Sequence, residues 1–273
     1  MEKSEWQGDA GATWAAEWRR TDRSFTQLTE CLLATLRGQS PSQVLDVGCG
    51  AGELSLAIAR GHSGAEVMGL DVSPQLIGVA RERGAHLGNV RFACDDAAQW
   101  IAGRDFAPDL LVSRHGVMFF DNPPAAFAHL ASLAAPQARL TFSCFRSTAF
   151  NPFFTEVLAL LPQAPPAGAP HAPGPFAFAE RDHVTRILEA GGWNRIDFAE
   201  VDFPMIAGVG ENAVDDAVEY FSVIGPAARL IGEMDSAGRS RFRERVRDLA
   251  ERNCREGVVS LPAAAWIVSA HKA

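Results

Sequence analysis

Three acids, Asp46, Asp71 and Asp96, each close a short apolar run, and a glycine cluster follows the first. In the stretch Val44-Leu45-Asp46-Val47-Gly48-Cys49-Gly50-Ala51-Gly52, an acid stands in a strand pattern and three glycines come within five residues. The apolar helix pattern Leu54, Leu56, Ala57, Ile58 comes next. Glycine lets the backbone turn sharply and approach a ligand, and the first turn of the following helix presents unpaired N–H groups. A dinucleotide fingerprint fails here, because Glu53 stands at its third glycine position and would face a pyrophosphate. A phosphate-cradling loop fails as well, since no lysine follows. An acid before Gly-x-Gly-x-Gly suits a zwitterionic ligand that also carries a positive charge.

The other two acids continue the pattern. Val67-Met68-Gly69-Leu70-Asp71-Val72-Ser73 reads as a strand ending in an acid about 20 residues past the glycines, a spacing at which such an acid accepts both hydroxyls of a ribose. Ser73-Pro74 then starts a helix, serine as N-cap and proline in the first turn. A third strand, Val90-Arg91-Phe92-Ala93, runs into Cys94-Asp95-Asp96-Ala97, where Asp95 is expected to cap the next helix.

At these residues the sequence resembles the class I S-adenosylmethionine-dependent methyltransferases, whose first motif reads very much like DVGCGAG. The resemblance implies S-adenosylmethionine as cofactor and S-adenosylhomocysteine as product. It places Asp96 and Ala97 at the adenine and brings Trp14, on the first helix, over the methionine end. The cofactor set it implies is Trp14, Asp46, Gly48, Cys49, Gly50, Gly52, Asp71, Val72, Asp96, Ala97, Ser113 and Arg114. Along its whole length the chain is similar to bacterial small-molecule enzymes related to the ubiquinone/menaquinone-biosynthesis C-methyltransferases. The segments Ser113 to Phe120, Asn151-Pro152 and Leu261 to Val268 carry that likeness. Pro136-Gln137-Ala138 departs from it, where the family has Pro-Gly-Gly.

The elements that must position these residues form a regular series. Two helices are expected over residues 9–37, the second with Phe25, Leu28, Leu32, Leu33 and Leu36 inward. Strands follow at 43–47, 66–71, 89–93, 109–113 and 139–144, with a helix around 123–134. A proline-rich stretch over 162–175 reads as extended loop. A helix at 180–191, a strand at 195–203, two helices over 212–253 and a last strand over 264–270 complete the chain. Alternating strands and helices mean an α/β, doubly wound, seven-stranded and mostly parallel sheet, a Rossmann-like methyltransferase fold with helical cap insertions. Residues 1–145 would hold the N-terminal helices and the cofactor half of the core. Residues 146–273 would hold its final strands and cap insertions at about 146–179 and 205–260.

Composition narrows the partners. The chain has 273 residues, 47% hydrophobic, with a net charge of -8 and no basic stripe, which argues against nucleic acid. No apolar run is long enough to span a membrane, and the first 30 residues show no basic-then-apolar signal. The five cysteines are scattered, without metal-type pairs, as in a reduced cytoplasmic protein with no metal site. The expected partner is a small, partly apolar methyl acceptor.

In-line methyl transfer depends chiefly on positioning. A base matters only where the acceptor must lose a proton, and His115, just past the fourth strand, is the candidate. As a base it would make the rate rise through pH roughly 6.5; as a packed histidine it would only shape the pocket. The same cofactor motifs also allow a second reading, an S-adenosylmethionine-binding protein with a regulatory or structural role and no transferase activity.

Overall fold

The computed structural model describes residues 3–163 and 169–273, so the middle of the proline-rich stretch, 164–168, lies outside the described residues. Eight strands form one sheet: β1 (Gln43–Val47), β2 (Glu66–Asp71), β3 (Val90–Cys94), β4 (Leu110–Arg114), β5 (Arg139–Phe145), β6 (Trp193–Val209), β7 (Cys254–Arg255) and β8 (Val258–Lys272). Their order is β3-β2-β1-β4-β5-β8-β6, with the two-residue β7 paired to β8. Strands β1 to β5 are mutually parallel, while β8 runs antiparallel between β5 and β6. The order reverses at β1 and β4, whose carboxyl ends therefore flank the crevice in which such sheets bind ligands.

The parallel centre is apolar because helices cover both its faces: Val44, Leu45, Val47, Leu110, Leu111 and Val112 are all buried. Helix α5 (Glu53–Gly61), after β1, buries Leu54, Leu56 and Ile58 against the sheet. Helix α6 (Pro74–Gly84), after β2, begins as expected, with the Leu76 N–H donating to Ser73 Oγ at 3.3 Å and Pro74 in the first turn. Helix α7 (Pro123–Leu133) precedes β5 and is capped by Asn122. Helices α8 (Pro152–Ala159) and α9 (Arg181–Ala190) lie between β5 and β6.

The N-terminal region departs from the expected pair of helices. It forms four short ones, α1 (Lys3–Gln7), α2 (Asp9–Ala16), α3 (Trp18–Ser24) and α4 (Thr26–Thr35). Two of the breaks follow from side chains that hydrogen-bond back along the helix: Thr21 Oγ1 donates to Glu17 O and Ser24 Oγ to Arg20 O. Such back-bonding competes with the helical ladder and bends it. Phe25, Leu28, Leu32 and Leu36 are buried as read from the sequence, while Leu33 is half-buried.

The second half departs in strand length. Strands β6 and β8 form a long antiparallel pair, and three helices rather than two stand between them: α10 (Ala213–Val223), α11 (Ala228–Gly232) and α12 (Ser236–Arg252). Residues 205–209 and 258–260, read from sequence as cap, are strand. No helix follows Asp95 either; its carboxylate caps a turn, accepting the Asp96 N–H at 2.8 Å.

Candidate functional site

The loops after β1 and β4 touch backbone to backbone. A Cβ on Gly48 would lie 2.7 Å from Gly116 Cα, and one on Gly116 would lie 2.5 Å from Val47 O. Only glycine fits at either place. Gly116 was not singled out in the sequence, because its partner lies far away in the chain. Gly50 differs: its φ is +56°, and a Cβ there would meet nothing within 4 Å. The loop therefore leaves space above Gly50, on the side where it faces the crevice.

That space belongs to a cavity of about 1590 Å³ above the carboxyl ends of the strands. Its walls include Trp14, Asp46, Gly48, Cys49, Gly50, Asp71, Val72, Asp96, Ala97, Arg114 and His115. The structure thus gathers eleven of the expected site residues around one volume. Gly52 and Ser113 are not in its wall. Gly52, at φ +87°, turns the chain into α5 and packs against Phe92 and Ala80. Ser113 is buried, with its hydroxyl donating to Val47 O at 2.7 Å and accepting from the Gly116 N–H at 3.1 Å. Both residues shape the loop from behind.

The acids are held in different ways. Asp71 accepts the Gly50 N–H and the Ser73 N–H, each at 2.9 Å. Burial raises its pKa, and those N–H groups oppose the rise. Asp46 accepts the Ser55 hydroxyl at 2.5 Å on one oxygen, while its buried Oδ1 has no partner. Burial pushes its carboxyl up to about 6, against Ser55 and Arg114. Asp96 accepts from the Ala98 N–H at 2.9 Å and pairs with Lys3 at 2.8 Å. Burial works against its ionisation, but Lys3 and Ala98 hold its pKa below the ordinary value.

Arg114 points into an ionic cluster at the cavity wall. It donates to Glu53 and to Thr29 of α4, and lies 3.4 Å from Asp22 of α3. Arg83 of α6 closes the cluster on Asp22 at 2.8 Å and stacks 3.8 Å over Trp18. Burial pushes Glu53 up to about 7, with Asp22 adding to the rise and Arg114 opposing it. Burial also disfavours the Arg114 charge, but Glu53 and Asp22 outweigh it and raise its pKa. This cluster fastens the N-terminal helices to the glycine loop. A second seam joins them to α10, where Arg20 and Arg23 both pair with Asp216, at 2.8 and 2.7 Å.

The roof closes the cavity from two sides. Trp6 and Trp14 meet edge to face at 5.3 Å, and Trp6 meets Phe119 at 5.4 Å. On the other side stand Phe25, Phe145, Phe153, Phe154, Tyr220 and Ile224, with exposed Arg229 at the rim. Phe25 was read from the sequence only as an inward position of its helix, and Tyr220, Ile224 and Arg229 carried no local signal. Burial pushes the Tyr220 phenol up to about 12. His115 sits between these halves with φ +62°, its ring stacked on Phe145 at 4.0 Å. Burial, with the Arg114 charge beside it, pushes its pKa down to about 3. An imidazole so placed is neutral near pH 7, so a rate rising through 6.5 is not expected from it.

Comparison with known proteins agrees with this geometry. Residues 44–137 match a family model described as a methyltransferase domain. Trans-aconitate 2-methyltransferase of Methylobacterium radiotolerans is 36% identical over 105 residues, covering 38% of this chain and 38% of that protein. The chain thus spans well under half the length of that curated relative. Ubiquinone biosynthesis O-methyltransferase of Coxiella burnetii is 28% identical over 198 residues, 69% of this chain and 77% of the relative. Among solved structures, YcgJ of Bacillus subtilis has a TM-score of 0.57 at 14% identity, covering 90% of this chain and 98% of that one. Magnesium protoporphyrin IX methyltransferase of Synechocystis, with S-adenosylhomocysteine bound, has a TM-score of 0.51 at 21% identity, covering 92% of this chain and 84% of that one. At those identities the structures speak for the fold alone. The chain carries a methyltransferase domain over residues 44–137.

Proposed function

We propose that this protein transfers the methyl group of S-adenosylmethionine to a small, partly apolar acceptor. The observation that carries the reading is the shared wall of one cavity. Asp46, the open face of Gly50, Asp71 and Asp96 stand on one side, and an aromatic chamber around His115 stands on the other. Single small molecules occupy pockets of roughly 300–1,000 Å³, so a volume of about 1590 Å³ has room for a cofactor and an acceptor together.

Each part of this chain then has a task. The cofactor supplies an electrophilic methyl group on a positively charged sulfur. Asp71 is aimed to accept ribose hydroxyls, while its bonds to Gly50 and Ser73 fix the loop. Asp96 and Ala97 meet the adenine end. Asp46 lines the same cavity and keeps one carboxylate oxygen without a partner, and its negative charge suits the positive end of an amino acid. Residues 1–145 supply this half, and the segments after β5 and between β6 and β8 roof the acceptor half. The closed chamber holds the acceptor in line with the methyl group, and positioning of this kind lowers a barrier by roughly 7–11 kcal/mol.

We further propose that the reaction takes place in the cytoplasm. Five free thiols support this, and among the described residues no helix is long and apolar enough to cross a membrane. Calorimetric titration with S-adenosylhomocysteine tests the cofactor half: saturable one-to-one binding is expected, and a folded protein that gives no heat would contradict it.

A further inference from the structure

We propose that Ser55 is a positioning residue for the cofactor site: its hydroxyl anchors the Asp46 carboxylate beneath the glycine loop, where that charge attracts the positive end of the cofactor. The proposal rests on the methyl-transfer reading and adds to it a residue that is not in the cavity wall and meets no ligand.

Ser55 stands where a helix covering a sheet has no general use for a polar side chain. It lies in the first turn of α5 between Leu54 and Leu56, and like them it is buried. Its hydroxyl does not cap the helix, whose N-cap is Gly52 without a side-chain bond. Instead it reaches back to β1 and donates to Asp46 Oδ2 at 2.5 Å. A buried hydroxyl needs a partner, whereas alanine would pack there without one. The hydroxyl therefore has its explanation in the acid that it serves.

The acid has few other supports. Asp46 is 1% exposed and its Oδ1 has no partner, so its charge has lost almost all its water. A buried carboxylate stays charged only through nearby donors and cations. Arg114 of β4 attracts it, but that guanidinium is already committed to Glu53, Asp22 and Thr29. Asp71, at the end of β2, repels it. The Cys49 thiol is pushed up by burial and by both acids, so it stays neutral beside them. What remains is Ser55, through its hydroxyl and its backbone N–H. Burial raises the carboxyl to about 6, and the Ser55 hydroxyl leads the groups that oppose the rise. Because Asp46 is closed to solvent, its charge acts through its field rather than by contact, and poorly screened surroundings let that field reach the cavity.

The test titrates Asp46 first without ligand and then with it. Magnetic resonance of protein labelled with carbon-13 at its aspartate carboxyls reads the acid directly, its signal assigned by Asp46→Asn. The midpoint is expected to move up by about one to two pH units in Ser55→Ala, the worth of one hydrogen bond to a charged group. Calorimetric affinity for S-adenosylhomocysteine is then compared with wild type at equal pH. Ser55→Ala should bind about two- to tenfold more weakly at pH 7 and within about twofold at pH 8.5, where Asp46 is ionised in both proteins. Added to Asp46→Asn, the same substitution should change affinity by less than about twofold. Three results would overturn the proposal: a midpoint that does not move, a loss of affinity equal at both pH values, or a loss as large on the Asp46→Asn background. The last two would leave Ser55 a packing residue. A moved midpoint in a protein whose wild type binds no S-adenosylhomocysteine would overturn the cofactor reading while supporting the hold of Ser55 on Asp46.

Discussion

The Gly50 N–H donates to the Asp71 carboxylate at 2.9 Å, so the acid that ends the second strand also sets the loop that follows the first. The same carboxylate accepts the Ser73 N–H and thereby orders the start of the next helix. One side chain organises two of the surfaces that a nucleoside would touch.

Replacing Asp71 with alanine should weaken S-adenosylhomocysteine binding by about 1.5–3 kcal/mol, the range for hydrogen bonds to a charged group. Part of the loss would come from a loosened glycine loop. Calorimetric affinity, read beside thermal unfolding, separates binding from folding. An unchanged affinity in a folded variant would remove Asp71 from the ribose site.

Gly50 tests the loop sterically. Valine there would project its side chain into the cavity and force a β-branched residue to φ +56°. Gly50→Val is expected to abolish cofactor binding while far-ultraviolet circular dichroism stays native. A variant that binds normally would show that the loop cradles nothing.

Asp46 gives a pH signature. Its carboxyl, raised to about 6 by burial, is partly protonated below that value. A cation binds the ionised form, so cofactor affinity should fall as pH drops from 7 to 5, with proton release on binding near pH 6. Calorimetry in buffers of different ionisation enthalpy reads that release. Asp46→Asn should bind more weakly at pH 7 and show no such dependence.

His115 gives a signature in stability rather than in binding, and it too weakens as pH falls. With its folded pKa near 3 and its unfolded value near 6.5, the unfolded chain binds the extra proton between those limits. Its contribution to stability is therefore fully present above pH 6.5 and is lost as pH falls toward 3, by about 1.4 kcal/mol per unit at most. Chemical denaturation of wild type and His115→Asn at pH 4.5 and 7 should show the gap between them widening as pH rises. Turnover should show no inflection near 6.5 that His115→Asn removes.

Arg114 tests the link between the N-terminal helices and the core. Arg114→Met leaves Glu53 and Asp22 facing each other without their cation. Breaking a buried pair on one side costs about 3–5 kcal/mol, so a clear drop in unfolding midpoint is expected. A shift near zero would mean that the cluster is solvated in solution.

The parts of this architecture that were legible in the sequence are those written locally. Strands β1 to β5 could be read because each is a short apolar run bounded by polar or turn residues, and the first three lead to an acid. The long strands β6 and β8 were read only as 195–203 and 264–270, stopping short of Pro204 and Pro262. Those prolines face each other in the register; β6 is an edge strand, and β8 has there run past its last partner in β5, Phe145↔Ala265. Proline is tolerated in both situations, so it did not end the strand. The cavity's cofactor wall followed from motif residues close together in sequence. Its far wall did not, because Tyr220, Ile224 and Arg229 reach it through tertiary packing of α10 and α11, to which the pairs of Arg20 and Arg23 with Asp216 contribute. Gly52 and Ser113 lie behind the loop for a related reason. Spacing identifies which residues belong to a turn, not which of them face outward.

The most direct test of methyl transfer is to incubate the protein with S-adenosylmethionine bearing a deuterated methyl group and a panel of phenols, quinols and amines. Products are then read by mass spectrometry. The account predicts S-adenosylhomocysteine in equal amount to a product heavier by one labelled methyl group, with Gly50→Val giving none. Tight cofactor binding with no labelled product from any acceptor or from cell extract would contradict it and would identify a protein that binds the cofactor without using it.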